Sequence, residues 1–309
     1  MIRILVTGGA GNVASALIAK LATNPENDIV IADNLLTGDM HKVPQHLDNV
    51  TFIKCDVNNY DDISPLFFSY NFKYVFHYAA VVGVQRTLQN PLMVLHDIKG
   101  IEHILNLSKN TGVKRVYFSS SSEVYGEPFE IPQNEQTTPL NSRLPYAIVK
   151  NVAEAYLRTY HQEFGLNYLI FRFFNTYGPN QSEDFVVPRF IRQAMNNENI
   201  TIYGDGLQTR TFCYVDDNVE ACLNAHYTGA IENDTVNIGS DTTFTVKALA
   251  EIIVGITGSS SKIIHLPPLE EGDMTRRQPD ITKMKTLLDH DLLPLEEGLR
   301  CLIDHFKNS

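Results

Sequence analysis

The chain has 309 residues and a formal net charge of -11, with its acidic residues spread along the sequence. A chain of this length can bury a sizeable core in one or two domains, and its charge offers no basic face to a nucleic acid or an anionic membrane. The four cysteines lie far apart without CxxC spacing, which disfavours a metal site or a disulfide framework and favours a reducing, cytoplasmic location.

Short β-branched runs alternate with helical patterns through the first half of the chain. The runs are IRILVT, DIVIAD, VTFIKCD, KYVFHYAA, VKRVYFSS and NYLIFRFF, beginning at residues 2, 28, 50, 73, 113 and 167. They predict a parallel sheet that is buried on both faces. The fold class is therefore α/β, a doubly wound parallel sheet of the Rossmann type. The first of these runs already begins at residue 2, so we expect no signal peptide. No window approaches 18 uninterrupted apolar residues, so we expect no membrane span.

The turn after the first run, TGGAGNVAS from Thr7 to Ser15, is rich in glycine and opens a helical pattern. Glycine lets the backbone approach a pyrophosphate at a helix N-terminus, although such a turn by itself is also typical of an ordinary tight turn. Asp33 ends the second run about 20 residues beyond Gly11, where a ribose-binding carboxylate is expected. The pattern predicts a dinucleotide site with NAD preferred over NADP. Asp56, after the third run, is either an adenine contact or an ordinary strand-end aspartate.

The fifth run is followed by SSSSEVYGE, residues 119–127, which is either a polar loop or half of an active site. Residues 146–164 then carry an apolar helical face that stops at Gly165. Tyr146 and Lys150 are four residues apart and so share one side of this helix. An ammonium group near a phenol lowers the phenol's pKa, which produces an acid or base usable near neutral pH. A YxxxK spacing recurs by chance, but here it follows a serine run at a strand end, where ligands collect.

After about residue 175 the pattern becomes irregular and prolines separate short elements. We therefore predict a dinucleotide domain over residues 1–174 and a smaller, mainly substrate-binding domain over 175–309. Part of 205–240 is expected to return to the first domain.

Eight motifs in order resemble the extended short-chain dehydrogenase/reductases, and more narrowly the NAD-dependent nucleotide-sugar epimerase/dehydratase family. The resemblance extends from residue 2 to about residue 305. The motifs are TGGAGNVAS, Asp33, HYAA, SSSSEVYGE, YAIVK, FRFFNTYGPN, IYGDGLQTRTFCYVDD and LPLEEGL.

The resemblance implies a catalytic role for three residues. Tyr146 would take the proton from the sugar hydroxyl at carbon 4 while hydride passes to NAD. Lys150 would bind the nicotinamide ribose and depress the tyrosine pKa, and Ser121 would hydrogen-bond the reacting hydroxyl. The substrate implied is a nucleotide-diphosphate sugar.

The resemblance also implies two sets of binding residues. The NAD set is Gly8, Gly11, Asn12, Val13, Asp33, Asn34, Asp56, Val57, Ala79, Ala80 and Lys150. The substrate set is Ser122, Asn175, Arg189, Arg210 and Arg277. Planar guanidinium groups suit diphosphate oxygens, but Arg210 or Arg277 taken alone equally suits a structural ion pair.

Three departures from the family pattern bear on this site. Asn12 and Ala14 replace an aromatic residue and a third glycine. Asp97 stands where an asparagine is common and adds a negative charge near the cofactor cleft. Ile148 and Val149 are bulkier than the residues usual between the tyrosine and the lysine.

The reaction depends on Glu123, which is either a further acid or base or an ordinary loop carboxylate. The short separation of Ser121 from Tyr146 favours a 4-epimerase, which needs little beyond Ser, Tyr and Lys. Glu123 and Arg277 favour the alternative, a 4,6-dehydratase or UDP-glucuronate decarboxylase. A 4-dehydrogenase that releases the keto sugar and a noncatalytic dinucleotide sensor complete the candidates.

The resemblance further implies a homodimer packed through 97–111 and 146–164, with a monomer as the alternative.

Overall fold

The computed structural model describes residues 1–268 and 276–308. The strands, numbered in chain order, are β1 Ile2–Thr7, β2 Asn27–Asp33, β3 Val50–Lys54, β4 Tyr74–His77, β5 Arg115–Ser121, β6 Asn167–Phe173, β7 Thr176–Tyr177, β8 Ile200–Tyr203, β9 Thr209–Thr211, β10 Cys213–Tyr214, β11 Asp234–Ile238, β12 Thr243–Thr245 and β13 Ile263–Leu266. The helices are α1 Asn12–Leu21, α2 Tyr60–Tyr70, α3 Val84–Gln89, α4 Pro91–Thr111, α5 Pro145–Phe164, α6 Val186–Met195, α7 Val215–Thr228, α8 Val246–Thr257, α9 Thr282–Lys285 and α10 Leu295–Asn308. Two short 3-10 helices cover Met40–Lys42 and Ser122–Tyr125.

Seven strands form one parallel sheet in the order β11-β6-β5-β4-β1-β2-β3. Its central strands are apolar and buried on both faces, as the residues Ile4, Leu5 and Val6 of β1 show with 0% exposure. This confirms the predicted α/β class and the doubly wound parallel sheet. The six predicted strands all occur, and β11 is a seventh from the second half of the chain.

The order of the strands reverses between β1 and β4, which are hydrogen-bonded neighbours. Ligands of open parallel sheets bind beyond the carboxyl ends of the strands at such a switch point. The glycine-rich turn, Asp33 and the serine run all follow strand ends, so the topology brings them to one edge of the sheet.

Helix α5 begins with Pro145 at its first position and ends at Gly165, which has φ of 70° and closes the helix in the left-handed conformation. Its buried residues include Val149, Ala153 and Leu157, which pack under the sheet. The predicted helix is therefore present and starts one residue earlier than expected.

Beyond β6 the short strands form three small pairs, β10 with β7, β13 with β8 and β12 with β9. β11 pairs with β6 instead and so belongs to the large sheet.

Within residues 1–268 and 276–308 we find no helix with the length and apolar character needed to cross a membrane. The four cysteines are free thiols, and three of them are buried.

A buried ion pair joins α5 to the sheet. Arg172 on β6 donates from Nε and Nη2 to the two carboxylate oxygens of Glu154, at 2.8 and 2.6 Å. Ser120 Oγ donates to the same carboxylate at 2.6 Å. Burial raises the pKa of Glu154, but the hydrogen bonds and charge of Arg172 outweigh it and place the pKa below its ordinary value. The pair is therefore ionised at neutral pH.

The same arginine extends the network to the loop after β5 and to the edge strand. Its Nη1 donates to the Tyr125 hydroxyl at 2.8 Å, and that hydroxyl donates to Asn237 Oδ1 at 2.8 Å. Asn237 Nδ2 donates to the carbonyl of Gln133 at 2.9 Å. One connected set of buried polar groups thus ties together α5, β5, β6 and β11.

Replacement of Arg172 by Met leaves Glu154 charged and buried without its partner. We expect the free energy of unfolding to fall by about 3–5 kcal/mol, measured by equilibrium urea unfolding. Arg158→Met is the matched control, because Arg158 Nη1 lies 3.4 Å from the same carboxylate but its side chain is 45% exposed. The control should change stability by less than about 0.5 kcal/mol. Equal losses in the two variants would contradict this account.

Candidate active site

A cavity of about 590 Å³ opens beyond the carboxyl ends of the parallel strands. Most residues predicted for the site line it: Gly8, Gly11, Asn12, Val13, Asp33, Asn34, Asp56, Val57, Ala79, Ala80, Ser121, Ser122, Glu123, Tyr146, Asn175 and Arg277. Residues far apart in sequence therefore share one wall, as the convergence of strand ends predicts.

The glycine-rich turn forms one side of the cavity and begins α1. Gly8 has φ of 69°, and a Cβ atom there would lie 2.6 Å from the backbone nitrogen of Ala79. Any larger residue would force β4 away from the turn. Gly11 is the residue before α1, and no side chain caps the start of this helix. The first backbone amides of α1 therefore have no side-chain acceptor where the helix borders the cavity. This arrangement suits a pyrophosphate.

Asp33 stands at the end of β2 on the same wall. Its two carboxylate oxygens accept backbone hydrogen bonds from Ala10 at 3.0 Å and Leu35 at 2.8 Å. These bonds fix a buried carboxylate that can still accept from ribose hydroxyls and would repel a 2′-phosphate.

Several buried polar atoms of the cavity wall have no partner within the described part of the chain. They include Asn12 Oδ1, Glu123 Oε2, Asn175 Nδ2 and Gln181 Oε1. Buried polar atoms are normally hydrogen-bonded, so these atoms are available to polar groups of a ligand. Together with the turn and Asp33, they fit a dinucleotide and a polar substrate.

The residues of the serine run that follow one another along the chain have different hydrogen-bond partners. Ser119 is the carbonyl acceptor for Lys150 Nζ at 2.6 Å, and Ser120 reaches inward to Glu154. Ser121 ends β5, and its Oγ accepts from the backbone nitrogen of Glu123 at 3.2 Å. The run is therefore part strand support and part cavity wall.

Tyr146 and Lys150 lie on the predicted side of α5, with Lys150 Nζ 5.7 Å from the centre of the Tyr146 ring. Lys150 is only 3% exposed. Burial lowers its pKa to about 8, while the carboxylates of Asp97 and Glu154 act in the opposite direction. Lys150 therefore remains largely protonated at neutral pH but close to its titration range.

The predicted depression of the Tyr146 pKa by Lys150 does not appear in the protein alone. Burial raises this pKa well above its ordinary value, and the negative charges of Glu123 and Asp97 raise it further. The hydroxyl of Ser121 and the charge of Arg277 act to lower it. The expectation was wrong in direction because the phenol is buried by other elements, which also add carboxylates, and neither effect is visible in the helix pattern.

Glu123 and Arg277 form an ion pair inside the cavity. Arg277 Nη2 lies 2.8 Å from Glu123 Oε1, and Nη1 donates to Ser122 Oγ at 3.4 Å. The side chains are 6% and 19% exposed for the arginine and the glutamate respectively. Glu123 is therefore no solvated loop carboxylate, and its second oxygen remains without a partner among the described residues.

Three predicted residues lie off the main cavity wall. Lys150 lines a small adjoining cavity instead. Arg189 lies on α6, where its guanidinium sits 5.7 Å from the ring centre of Phe190, and Arg210 on β9 donates to the carbonyl of Thr209 at 2.8 Å. The structure does not bring these two arginines to the described wall.

Two features of the site were missed in the sequence. Glu154 lies four residues beyond Lys150, and this continued spacing of four was the available signal for a third buried group on the same helix face. Arg86 Nη2 pairs with Asp184 Oδ2 at 3.1 Å, and both line the main cavity. No spacing rule predicts a pair that joins segments so far apart in the chain.

Comparisons with known proteins agree with this geometry. The family model described as the NAD dependent epimerase/dehydratase family matches residues 4–239. UDP-glucuronic acid decarboxylase 6 of Arabidopsis thaliana is 34% identical, over 99% of this chain and 89% of its own. A putative UDP-glucose 4-epimerase of Methanocaldococcus jannaschii is 33% identical over 99% of each chain.

A solved structure shows the same likeness. The crystal structure of a UDP-glucose 4-epimerase with UDP-glucose from Thermotoga maritima superimposes with a TM-score of 0.93 at 33% identity, covering 99% of both chains. The chain is thus similar over nearly its whole length to epimerases and to a decarboxylase.

The charges around Tyr146 lead to a titration experiment with two opposite outcomes. Glu123→Gln should lower the pKa of Tyr146, because a carboxylate that disfavours the phenolate is removed. Ser121→Ala should raise it, because a hydrogen bond to the phenolate is lost. Tyrosine labelled with carbon-13 at Cζ, with the signal assigned through Tyr146→Phe, reports both shifts by NMR. Glu163→Gln, which removes an exposed charge from the far end of α5, should leave the titration unchanged; parallel shifts in E123Q and S121A would contradict the assignment.

Proposed function

The chain belongs to the NAD-dependent epimerase/dehydratase family, and within it we propose that the protein is a nucleotide-sugar 4-epimerase. The family includes NAD-dependent epimerases, dehydratases and decarboxylases of nucleotide sugars, so the protein is an NAD-dependent enzyme of this group. The choice among these reactions depends on which side chains surround the reacting carbon.

The observation that carries the proposal is the state of Glu123. A 4-epimerase needs one acid/base group, one hydroxyl to hold the substrate and one cation, and Tyr146, Ser121 and Lys150 supply these at one place. Glu123 is the further carboxylate beside Tyr146, and Arg277 already holds its Oε1 at 2.8 Å. A carboxylate engaged in this way is a structural and electrostatic neighbour of the phenol, not a free acid or base.

The NAD held by the first turn and the strand ends would supply the acceptor, and later the donor, of the hydride at carbon 4 of the sugar. Tyr146 takes the proton of the carbon 4 hydroxyl in the oxidation and gives it back in the reduction. Ser121 holds the oxygen of that carbon near the phenol, and the positive charge of Lys150 favours the phenolate when the proton leaves. Lys150 is only 3% exposed, so little water reaches its charge to screen it.

Epimerisation requires that the keto sugar turn its other face to the cofactor before reduction. This step uses no further proton transfer, so it needs no fourth acid or base. The residues proposed for NAD are those of the first turn and the strand ends, and Asn175 and Ser122 are proposed for the sugar nucleotide. Arg189 and Arg210, which lie off the described wall, remain proposals for its diphosphate.

A decarboxylase of a nucleotide-activated uronic acid is the second candidate, favoured by Arg277. A guanidinium that is 6% exposed on the cavity wall, with its Nε unpartnered among the described residues, suits a sugar carboxylate. The 34% identity to UDP-glucuronic acid decarboxylase 6 points the same way. In this reaction Glu123 would leave Arg277 when the substrate binds.

The proposal extends to a homodimer and to a cytoplasmic setting. α4 packs beside α5, and their outer faces expose four apolar side chains, namely Leu92 at 75%, Leu95 at 37%, Ile148 at 40% and Phe164 at 56%. An unpartnered apolar patch on two adjacent helices suits association with a second copy. The four free thiols agree with a reducing compartment.

Incubation with UDP-, GDP- and dTDP-sugars, with products read by NMR, tests the reaction. We expect interconversion of carbon 4 epimers and a drop in kcat of about 10²–10⁴ in Tyr146→Phe, because proton transfer is lost. Tyr227→Phe, at an exposed tyrosine, is the control. Glu123→Gln should keep epimerase turnover within about tenfold of the wild type. Release of carbon dioxide from a UDP-uronic acid, lost in Glu123→Gln, would instead establish the second candidate.

Ile148→Glu should convert the dimer to a monomer, because a charge would be buried in the apolar contact. Light scattering after size exclusion measures the mass. Phe68→Glu, at a side chain that is 68% exposed on α2, introduces the same charge away from the proposed interface and should leave the mass unchanged. A wild type that runs as a monomer at micromolar concentration would contradict the dimer.

A further inference from the structure

Asp97, on α4, borders two cavities at once. It lines the main cavity, and it also lines a small adjoining cavity of about 10 Å³ together with His77, Tyr146 and Lys150. Asp97 is therefore a carboxylate on the wall of the small cavity that Tyr146 and Lys150 also line.

Two hydrogen bonds hold the Asp97 carboxylate in place. Oδ2 accepts from the backbone nitrogen of Val81 at 2.8 Å, and Oδ1 accepts from Asn58 Nδ2 at 3.1 Å. Asn58 is oriented in turn, because its Oδ1 accepts from the backbone nitrogen of Gly100 at 3.0 Å. Both donors to Asp97 are neutral, so its charge is fixed in position and is not cancelled by these contacts.

The small cavity offers little room for solvent. Its volume of about 10 Å³ is close to the minimum for a single water molecule. Charges on its walls are consequently screened far less than charges in bulk water. A carboxylate and an ammonium group that share this cavity interact strongly even without direct contact.

Lys150 depends on such an interaction. Its Nζ donates to the neutral carbonyl of Ser119, and burial alone would drive its proton off. Glu154 is also near, but Arg172 holds both of its oxygens, at 2.8 and 2.6 Å. The hydrogen-bond partners of Asp97 described above carry no positive charge, so its carboxylate is the one left to balance the lysine.

We propose that Asp97 is a positioning residue that acts as the counter-ion of Lys150 and keeps it protonated beside Tyr146, a role that rests on the active site proposed above. The charge at this position then sets the pH range in which the lysine and the tyrosine work together.

The other charged and titratable groups around Asp97 come from several parts of the chain. His77 on β4 is neutral, because burial, followed by the charge of Lys150, lowers its pKa to about 3. Asp56, after β3, opposes the charge of Asp97 and adds to the effect of burial in raising its pKa. Lys150 and Tyr146 face it from α5, and Glu123 with Arg277 lies beyond the phenol. Only Lys150 among these provides a cation on the cavity shared with Asp97.

The test is the titration of Lys150 in Asp97→Asn, read by NMR on lysine labelled at Cε and Nζ, with the signal assigned through Lys150→Met. We expect its pKa to fall by at least about half a unit, a threefold loss in proton affinity. Asp61→Asn removes one exposed charge from α2 and should leave the titration unchanged. In the active enzyme, the alkaline limb of kcat/KM should move to lower pH in Asp97→Asn, because Lys150 loses its proton earlier.

Asp97→Asn also breaks a hydrogen bond, because the single amide oxygen of an asparagine cannot accept from both Val81 and Asn58. A second variant therefore exchanges the carboxylate and the amide between positions 97 and 58. The double variant D97N/N58D restores the hydrogen bond between the two side chains, with the amide now at position 97 donating to the carboxylate now at position 58, and conserves the net charge. It moves the carboxylate away from Lys150, so the lysine pKa should again fall. A Lys150 titration within about 0.2 units of wild type in this fully bonded protein would overturn the proposal. The NMR readout needs no substrate, so a missing turnover would count against the proposed function alone.

Discussion

The ion pair between Glu154 and Arg172 is the interaction on which the site depends. Both side chains are essentially buried, at 0% and 2% exposure, and two charges in such a place are stable only when their hydrogen bonds are complete. Arg172 satisfies both oxygens of Glu154, and Ser120 and Tyr125 complete the set. Because these partners lie on α5, β5, β6 and the loop after β5, the network fixes the helix that carries Tyr146 and Lys150 against the serine run.

A second constraint is the sign of the charge around the phenol. Burial disfavours the phenolate of Tyr146 most, the charges of Glu123 and Asp97 add to this, and the Ser121 hydroxyl and Arg277 only partly offset them. A tyrosine in this environment holds its proton firmly while the site lacks further positive charge. The protein alone therefore keeps the phenol protonated, and Lys150, whose pKa is about 8, lies with its Nζ 5.7 Å from the centre of the phenol ring. The protonation of Tyr146 thus depends on its neighbours as much as on the tyrosine itself.

Sequence patterns predicted the fold and the main wall of the site, because apolar runs with helix-length spacings imply a parallel sheet and the sheet brings strand ends together. They predicted the placement of Asp33, Ser121 and Tyr146 for that reason. The pKa of Tyr146 was predicted in the wrong direction, because sequence spacing shows only the cation one helical turn away and hides both the burial of the phenol and the carboxylates from other elements. The Glu123–Arg277 pair was equally hidden, since its two residues come from opposite halves of the chain. Side-chain contacts across elements depend on packing, which no local pattern records.

The paired state of Glu123 and Arg277 also discriminates between substrates on physical grounds. A sugar that presents a hydroxyl can donate to the free Oε2 of Glu123 while the ion pair stays closed, so no buried charge loses its partner. A sugar that presents a carboxylate must take Arg277 for itself, which leaves Glu123 charged beside Tyr146 in a poorly solvated cavity. An uncompensated buried charge costs about 3–5 kcal/mol, a penalty that the new ion pair with the sugar would have to offset. In the resting site, therefore, a neutral sugar would leave the pair of Glu123 and Arg277 intact, whereas a uronic acid would have to replace it.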